Sequence, residues 1–349
     1  MQIAIIAITP NGARLGARLH EGLAQSRLFV IEKHATGDAH PFSGGLQVLM
    51  DRLWPDYDGF VFIMATGIVV RTLAPLLQSK DRDPAVVVLD DAGQFAISLL
   101  SGHIGGANAL AKSCAALAGS IPVITTATDV NKLPSFDMLA QAHGWLIEDL
   151  SRVKVLNALL LEGKEIAVVD RGSAVKRYCA GRGVLSFHDD VAAAFASGAS
   201  GQLIVTNRII PSQLSSDRLL VLRPVNLCLG IGCNRGTSAA EIASVVRENL
   251  EQLALSFKSV KCVATAQAKG DEGGLLEFAA SSRLPVLLYE NDQLNGVDTP
   301  SPASDHALAA IGAKGVAEPA ALLAAAGGRL LLPKVKSGNV TLAIAQTAG

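Results

Sequence analysis

The chain is poor in aromatic side chains, has five scattered cysteines and carries almost no net charge, −1 over 349 residues. Each shortage excludes something. Cys114, Cys179, Cys228, Cys233 and Cys262 form no C-x-x-C pair and no Cys/His ligand spacing, so neither a disulfide framework nor a zinc site is expected. A reduced, cytoplasmic setting suits such thiols. Near-neutral charge offers no global field to nucleic acid or a membrane surface, so an anionic ligand must be met by local positive groups. No apolar run reaches the roughly eighteen uncharged residues of a membrane-spanning helix. The opening "MQIAIIAITPNGARLG" lacks the basic start and apolar block of a signal segment and reads as strand, loop and helix. G-x-x-x-x-G-K-[ST] is absent, which removes the P-loop reading.

What is there is an Ala-, Gly-, Leu- and Val-rich chain, half hydrophobic, long enough for two or three domains. Such composition suits buried parallel strands covered by small-residue helices. "QIAIIAIT", "FVFIMAT", "AVVVLD", "FAISLL" and "IPVITT" alternate with helical patterns, and "DDAGQ" reads as a hairpin loop. "NKLPSFDMLAQAHGW" reads as helix, and a smaller unit follows with "EIAVVD", "GVLSFHD" and "GQLIVTNR" as strands. A third section restarts at "VNLCLGIGC", carries helices at "TSAAEIASVVRENLEQL", "GGLLEFAASS", "SPASDHALAAIG" and "EPAALLAAAG", and closes in a hairpin with "SGN" as its turn. The expected fold is α/β: three units with mainly parallel sheets layered with helices, over residues 1–135, 136–222 and 223–349.

Two glycine-bearing segments carry chemistry. In "LLSGHIGGANALA", Ser101, Gly102, His103, Gly105 and Gly106 stand between an apolar strand and a helix. Backbone and side chain there both reach a ligand, and His103 is an acid/base candidate; a lone His is also a common structural residue. The segment is no G-x-S-x-G elbow, which weakens Ser101 as a nucleophile. In "LGIGCNRGTSAAEI", Gly232, Cys233, Arg235 and Gly236 lead to Thr237 and Ser238 at a helix start, with Glu241 completing a capping-box spacing. Close backbone approach, free N–H groups and a guanidinium fork suit a carboxylate or phosphate. A turn and cap with nothing bound fits the spacing equally well. The dinucleotide fingerprint fits less, because the third glycine comes late and no acid ends the next strand.

"AKGDEGG" sets Lys269, Asp271 and Glu272 at a strand end before a helix, where open α/β sheets bind ligands, although acids also simply favour a helix start. "MATGIVVRTLAP" ends a strand at Thr66 and Gly67, with Arg71 beyond. Lys334 and Lys336 alternate on one strand, hence on one side.

These blocks, from "ATGIVVRTLAPLLQ" through "SGHIGGANALA", with "GIGCNRGTSAAEI" and "PKVKSGNVTLAIAQ", resemble the CbiG family of cobalamin biosynthesis, the cobalt-precorrin-5A hydrolases. The third section also resembles the stand-alone CobE proteins. The resemblance implies opening of a δ-lactone on a cobalt-bearing contracted tetrapyrrole, with the bridge fragment lost as acetaldehyde. It implies no cofactor or metal of the protein's own, cobalt arriving with the substrate, and a ligand cleft between the N- and C-terminal domains. A broad set of contacts follows for an acidic macrocycle: Arg71, Arg235, Lys269, Lys334 and Lys336, with the glycine loops Gly105–Gly106 and Gly232–Cys233 as amide donors. His103, or failing it Glu272, is the expected general base. Gln267 departs from the family pattern, which has an acid there, so no role resting on that acid transfers. Other pathway enzymes and a second copy of the chain are possible partners, nucleic acid and membrane are not; the competing readings are a non-catalytic tetrapyrrole carrier and a nucleotide-dependent α/β enzyme.

Overall fold

The computed structural model describes residues 1–79, 82–304, 308–309 and 312–348. It contains three mixed α/β layers, and part of the helix expected over 301–312, residues 305–307, 310 and 311, lies outside the described residues. The chain forms two compact units, Met1–Met138 and Leu139–Gly349.

The first unit holds β1 (Ile3–Ala7), β2 (Ser26–Ile31), β3 (His40–Phe42), β4 (Gly59–Ile63), β5 (Ala85–Leu89), β6 (Phe95–Leu100) and β7 (Ile121–Val123). They form one sheet in the order β3-β2-β1-β4-β5-β6-β7, parallel except at the β5–β6 hairpin. β1, β4 and β5 are buried along their whole length because helices cover both faces. Side chains alternate accordingly. Ile5, Val61 and Val87 enter one core, while Ile6, Phe60, Phe62 and Val86 enter the other. The hairpin loop is the expected "DDAGQ": Asp90 accepts N–H bonds from Ala92 at 3.0 Å and Phe95 at 2.7 Å, an Asx turn.

In the second unit β8 (Leu146–Ile147), β9 (Ile166–Val169), β10 (Leu185–Phe187), β11 (Gly201–Val205) and β12 (Leu219–Arg223) make a sheet ordered β10-β9-β11-β12-β8. Only β8 runs antiparallel. β13 (Leu227–Cys233), β14 (Val260–Ala266), β15 (Val286–Tyr289), β16 (Arg329–Ser337) and β17 (Val340–Gln346) make another, ordered β15-β14-β13-β17-β16. β13–β15 are parallel, and the β16–β17 hairpin adds on antiparallel through the turn Gly338–Asn339, with Gly338 at φ +55°. The alanine-rich helix Ala317–Ala324 lies directly on β13: a Cβ at Gly230 would sit 1.8 Å from the Ala317 carbonyl oxygen. The two sheets are tied by backbone bonds, Ser256 N–H to Asn207 O at 2.8 Å and Ile209 N–H to Ala254 O at 2.8 Å. Glu148 adds an ion-paired clasp, accepting from Arg223 at 2.5 Å and Lys258 at 2.7 Å.

One expected element is shorter than the sequence implies. The segment 131–145, read as helix, is helical only over Phe136–Ala142, and a separate short turn of helix at Ala127–Val130 precedes it. Pro134 and Lys132, at φ +54°, break the run between them.

Candidate active site

The loop after β6 is shaped by its glycines and one strained serine. Ser101 sits in the left-handed region at φ +55°, and its hydroxyl donates to Asp83 O at 2.8 Å. A Cβ on Gly105 would meet the Ser101 Cβ at 2.4 Å, and Gly106, at φ +90°, opens the helix Ala107–Ala118. Gly106 N–H donates to His103 O at 2.8 Å, and Asn108 N–H to Gly102 O at 3.0 Å. The loop therefore closes on itself, and the Gly106 amide expected as a ligand donor is occupied by it.

His103 projects into a cluster of acids that the linear sequence does not associate with it. Its Nδ1 lies 3.2 Å from Asp137 Oδ2 and its Nε2 lies 3.1 Å from Asp129 Oδ2. Thr128 Oγ1 is 3.2 Å from Nε2. Ser135 donates to the other oxygen of Asp137. Asn108 Nδ2 donates to Asp129 at 3.0 Å and to Thr126 at 2.8 Å, and is itself fixed by Ser98, whose hydroxyl donates to Asn108 Oδ1 at 2.7 Å. The two carboxylates differ in access: the Asp137 side chain is 4% exposed and that of Asp129 is 35%.

The hydrogen bond to Asp137 raises the His103 pKa, against the opposing effect of partial burial, and Asp129 adds to the rise. Burial pushes the Asp137 carboxyl up, but its bonds with His103 and Ser135 outweigh that and bring it down to about 2. The carboxylate partners thus favour the imidazolium form of the ring. Asp137 orients the ring from the closed side, and Nε2–H faces the more open one. Such a group delivers a proton first and becomes a base afterwards.

The second cluster lies at the β13–β14 edge of the third sheet. Glu272, 4% exposed, accepts from Gly236 N–H at 3.2 Å and from Lys269 Nζ at 3.3 Å, with Arg235 Nε 3.6 Å away. Arg235 also forks onto Asp271 at 3.2 and 3.4 Å, an exposed pair. Arg235, Gly236, Lys269, Asp271 and Glu272 are therefore brought together as expected, yet Glu272 is committed to holding the 234–236 loop. Thr237 donates to Asn234 O at 2.7 Å, and Ser238 caps the helix Ala239–Gln252 by accepting from Glu241 N–H at 3.2 Å. The reciprocal half of the expected capping box is replaced: the Glu241 carboxylate accepts from Asn339 N–H at 2.8 Å and so clamps the β16–β17 turn. Gly232 and Cys233 are strand residues, register-paired with Thr341 and Val340, instead of a free loop. Burial, then the Glu272 charge, raises the Cys233 thiol pKa.

The remaining expected contacts make no hydrogen bond or ion pair with either cluster among the described residues. Thr66 and Gly67 open the helix Thr66–Leu73, and Arg71 donates back to Gly67 O at 3.2 Å. Lys334 donates to Pro302 O at 3.1 Å, while Lys336 is exposed. Sequence reasoning missed Asp129, Asp137 and Asn108. The only signal for the two acids was their place in a polar stretch after a strand end, and nothing in their spacing linked them to His103. Among the described residues no group of three or more His, Cys, Asp and Glu side chains forms a metal-ligand set, and no helix is long and apolar enough to cross a membrane.

Residues 48–129 match the family model described as cobalamin synthesis G N-terminal, residues 134–224 the cobalamin biosynthesis central region, and residues 227–345 the cobalamin synthesis G C-terminus. The chain is similar to the cobalt-precorrin-5A hydrolase of Priestia megaterium, with 38% identity covering 98% of this chain and 94% of the relative. The cobalt-precorrin-5A hydrolase of Salmonella typhimurium is 33% identical, covering 98% of this chain and 97% of its own. Protein CobE of a Sinorhizobium species is 31% identical over 35% of this chain and 80% of its own.

Proposed function

The chain belongs to the cobalamin synthesis G family, and on that premise we propose that it hydrolyses cobalt-precorrin-5A, opening the δ-lactone and releasing acetaldehyde. The single structural observation that supports this chemistry is the His103 ring held between Asp137 and Asp129. Lactone opening adds water to the carbonyl carbon and breaks that carbon's bond to the ring oxygen. The departing oxygen needs a proton, and the water's proton passes to solvent as the carboxylate forms. His103 Nε2–H supplies the ring oxygen's proton when the substrate takes the place of Asp129. The neutral imidazole then accepts the proton of the new alcohol. Collapse of that alkoxide to acetaldehyde sends the carbon–carbon bonding pair into the cobalt macrocycle, so this reading asks for no organic cofactor. Arg235 and Lys269 remain candidate contacts for the substrate's acidic rim, as does Lys336, which is open to solvent. Lys334 is the weaker one, its ammonium donating to a carbonyl.

Anaerobic incubation of the purified protein with cobalt-precorrin-5A, with acetaldehyde measured, tests the function. Stoichiometric acetaldehyde is expected. Binding of the tetrapyrrole without acetaldehyde would instead identify a non-catalytic carrier.

A further inference from the structure

A space lined by residues of the middle and third sections belongs to neither cluster. β9 and β11 are neighbours, but the chain leaves β9 toward β10 on one side and leaves β11 toward β12 on the other. Their carboxyl ends therefore flank a topological switch point, the place where open α/β sheets bind ligands. A cavity of about 720 Å³ opens there, within the range of small-molecule sites. Arg171, Arg177, Arg208 and Arg329 all line it. Among the described residues none of the four makes an ion pair, although Arg208 donates to Leu253 O at 3.2 Å. His143 and Trp145, stacked with centroids 4.6 Å apart, add a flat aromatic surface.

Three acids, Asp170, Asp189 and Asp190, share the wall with the four arginines and offset part of their charge. Asp170 is satisfied by Gly172 N–H at 3.0 Å and Val175 N–H at 2.7 Å, and Asp190 by Ala193 N–H at 2.8 Å. That arrangement also argues against a nucleotide, because the amides that would cradle a phosphate after β9 are taken by Asp170. The four guanidinium groups, none of them ion-paired among the described residues, stand beside the flat aromatic surface. Guanidinium groups pair with carboxylates, and aromatic faces pair with planar rings. We propose that this cavity binds the substrate of the reaction proposed above, a flat macrocycle rimmed by carboxylates, through Arg171, Arg177 and Arg329; the identity of the ligand rests on that reading.

The test titrates uroporphyrin III, a carboxylate-rimmed macrocycle, into wild-type protein and the double variant Arg171→Ala/Arg329→Ala, followed by absorbance. Loss of two charge-assisted contacts should weaken Kd about tenfold or more. Arg247→Ala, which removes a charge from the helix Ala239–Gln252 and not from the cavity wall, should leave Kd unchanged. Circular dichroism checks folding, and Arg171→Glu alone provides a second variant if the double one is unstable. Porphyrin affinity unchanged in the folded variants overturns the proposal, as does ATP binding that these substitutions abolish while porphyrin binding persists. Arginine-dependent porphyrin binding in a protein that releases no acetaldehyde would leave the cavity assigned and reject the hydrolase reading instead.

Discussion

Removing the imidazole of His103 leaves Asp129 and Asp137 with no cation between them. His103→Ala should therefore lower acetaldehyde release about 10²–10⁴-fold, and a loss under about threefold removes His103 from proton transfer. The pair also links stability to pH. Asp137 has a folded pKa of about 2, below its unfolded value, so its contribution is present above pH ~4 and disappears as pH falls toward 2. His103 is raised, so its contribution is full below pH ~6.5 and is lost as pH rises through the folded value. The bond is thus strongest between about pH 4 and 6.5. Asp137→Asn should cost on the order of 1–2 kcal/mol in urea unfolding at pH 5.5, with a smaller deficit at pH 9. A deficit that is flat across that range would mean that His103 is uncharged in the folded protein.

Two elements of the second unit meet at backbone distance, which sets what their residues can be. A Cβ on Gly274, in the first turn of the helix Gly273–Ser281, would lie 2.0 Å from Thr237 O. Gly274→Ala should destabilise by ~3 kcal/mol through overpacking, read as a lowered midpoint in denaturant. An unchanged midpoint would show that the loop before Ala239 yields freely. At this scale much was legible. The β5–β6 hairpin, the strand–loop–helix run through "GIGCNRGTSAAEI" and the closing hairpin follow from turn residues and apolar patterning, which are local signals. The Lys269–Glu272 contact was near at hand for the same reason, being three residues apart. The carboxylate bracket around His103 was not legible, because Asp129 and Asp137 reach it across 26 and 34 residues of chain. Only the packing of the segment after β7 decides that. The extent of β13 was misjudged similarly: pairing with β17 keeps Gly232 and Cys233 in the strand, and glycine alone announces a loop.

At the scale of the whole chain, three sheets build two units, because the middle and third sheets share backbone hydrogen bonds and the Glu148 clasp. Burial raises the Glu148 pKa, but Lys258 and Arg223 outweigh that and lower it. Arg223 is 4% exposed and keeps carbonyl partners at Thr206 and Arg208 when Glu148 is removed. Glu148→Ala should therefore cost about 1–2 kcal/mol, less than a fully buried pair, since Glu148 is partly solvated. Amide hydrogen exchange should speed up in β12 and β13 together. Faster exchange confined to β12 would mean that the two sheets open independently. The order of strands in the third sheet has a cost for biosynthesis. β17 is translated after β13, β14, β15 and β16, yet it lies in the interior between β13 and β16. While the ribosome is still making it, the nascent sheet presents two unzipped edges, and a premature stop before Val340 would leave them permanently exposed for aggregation.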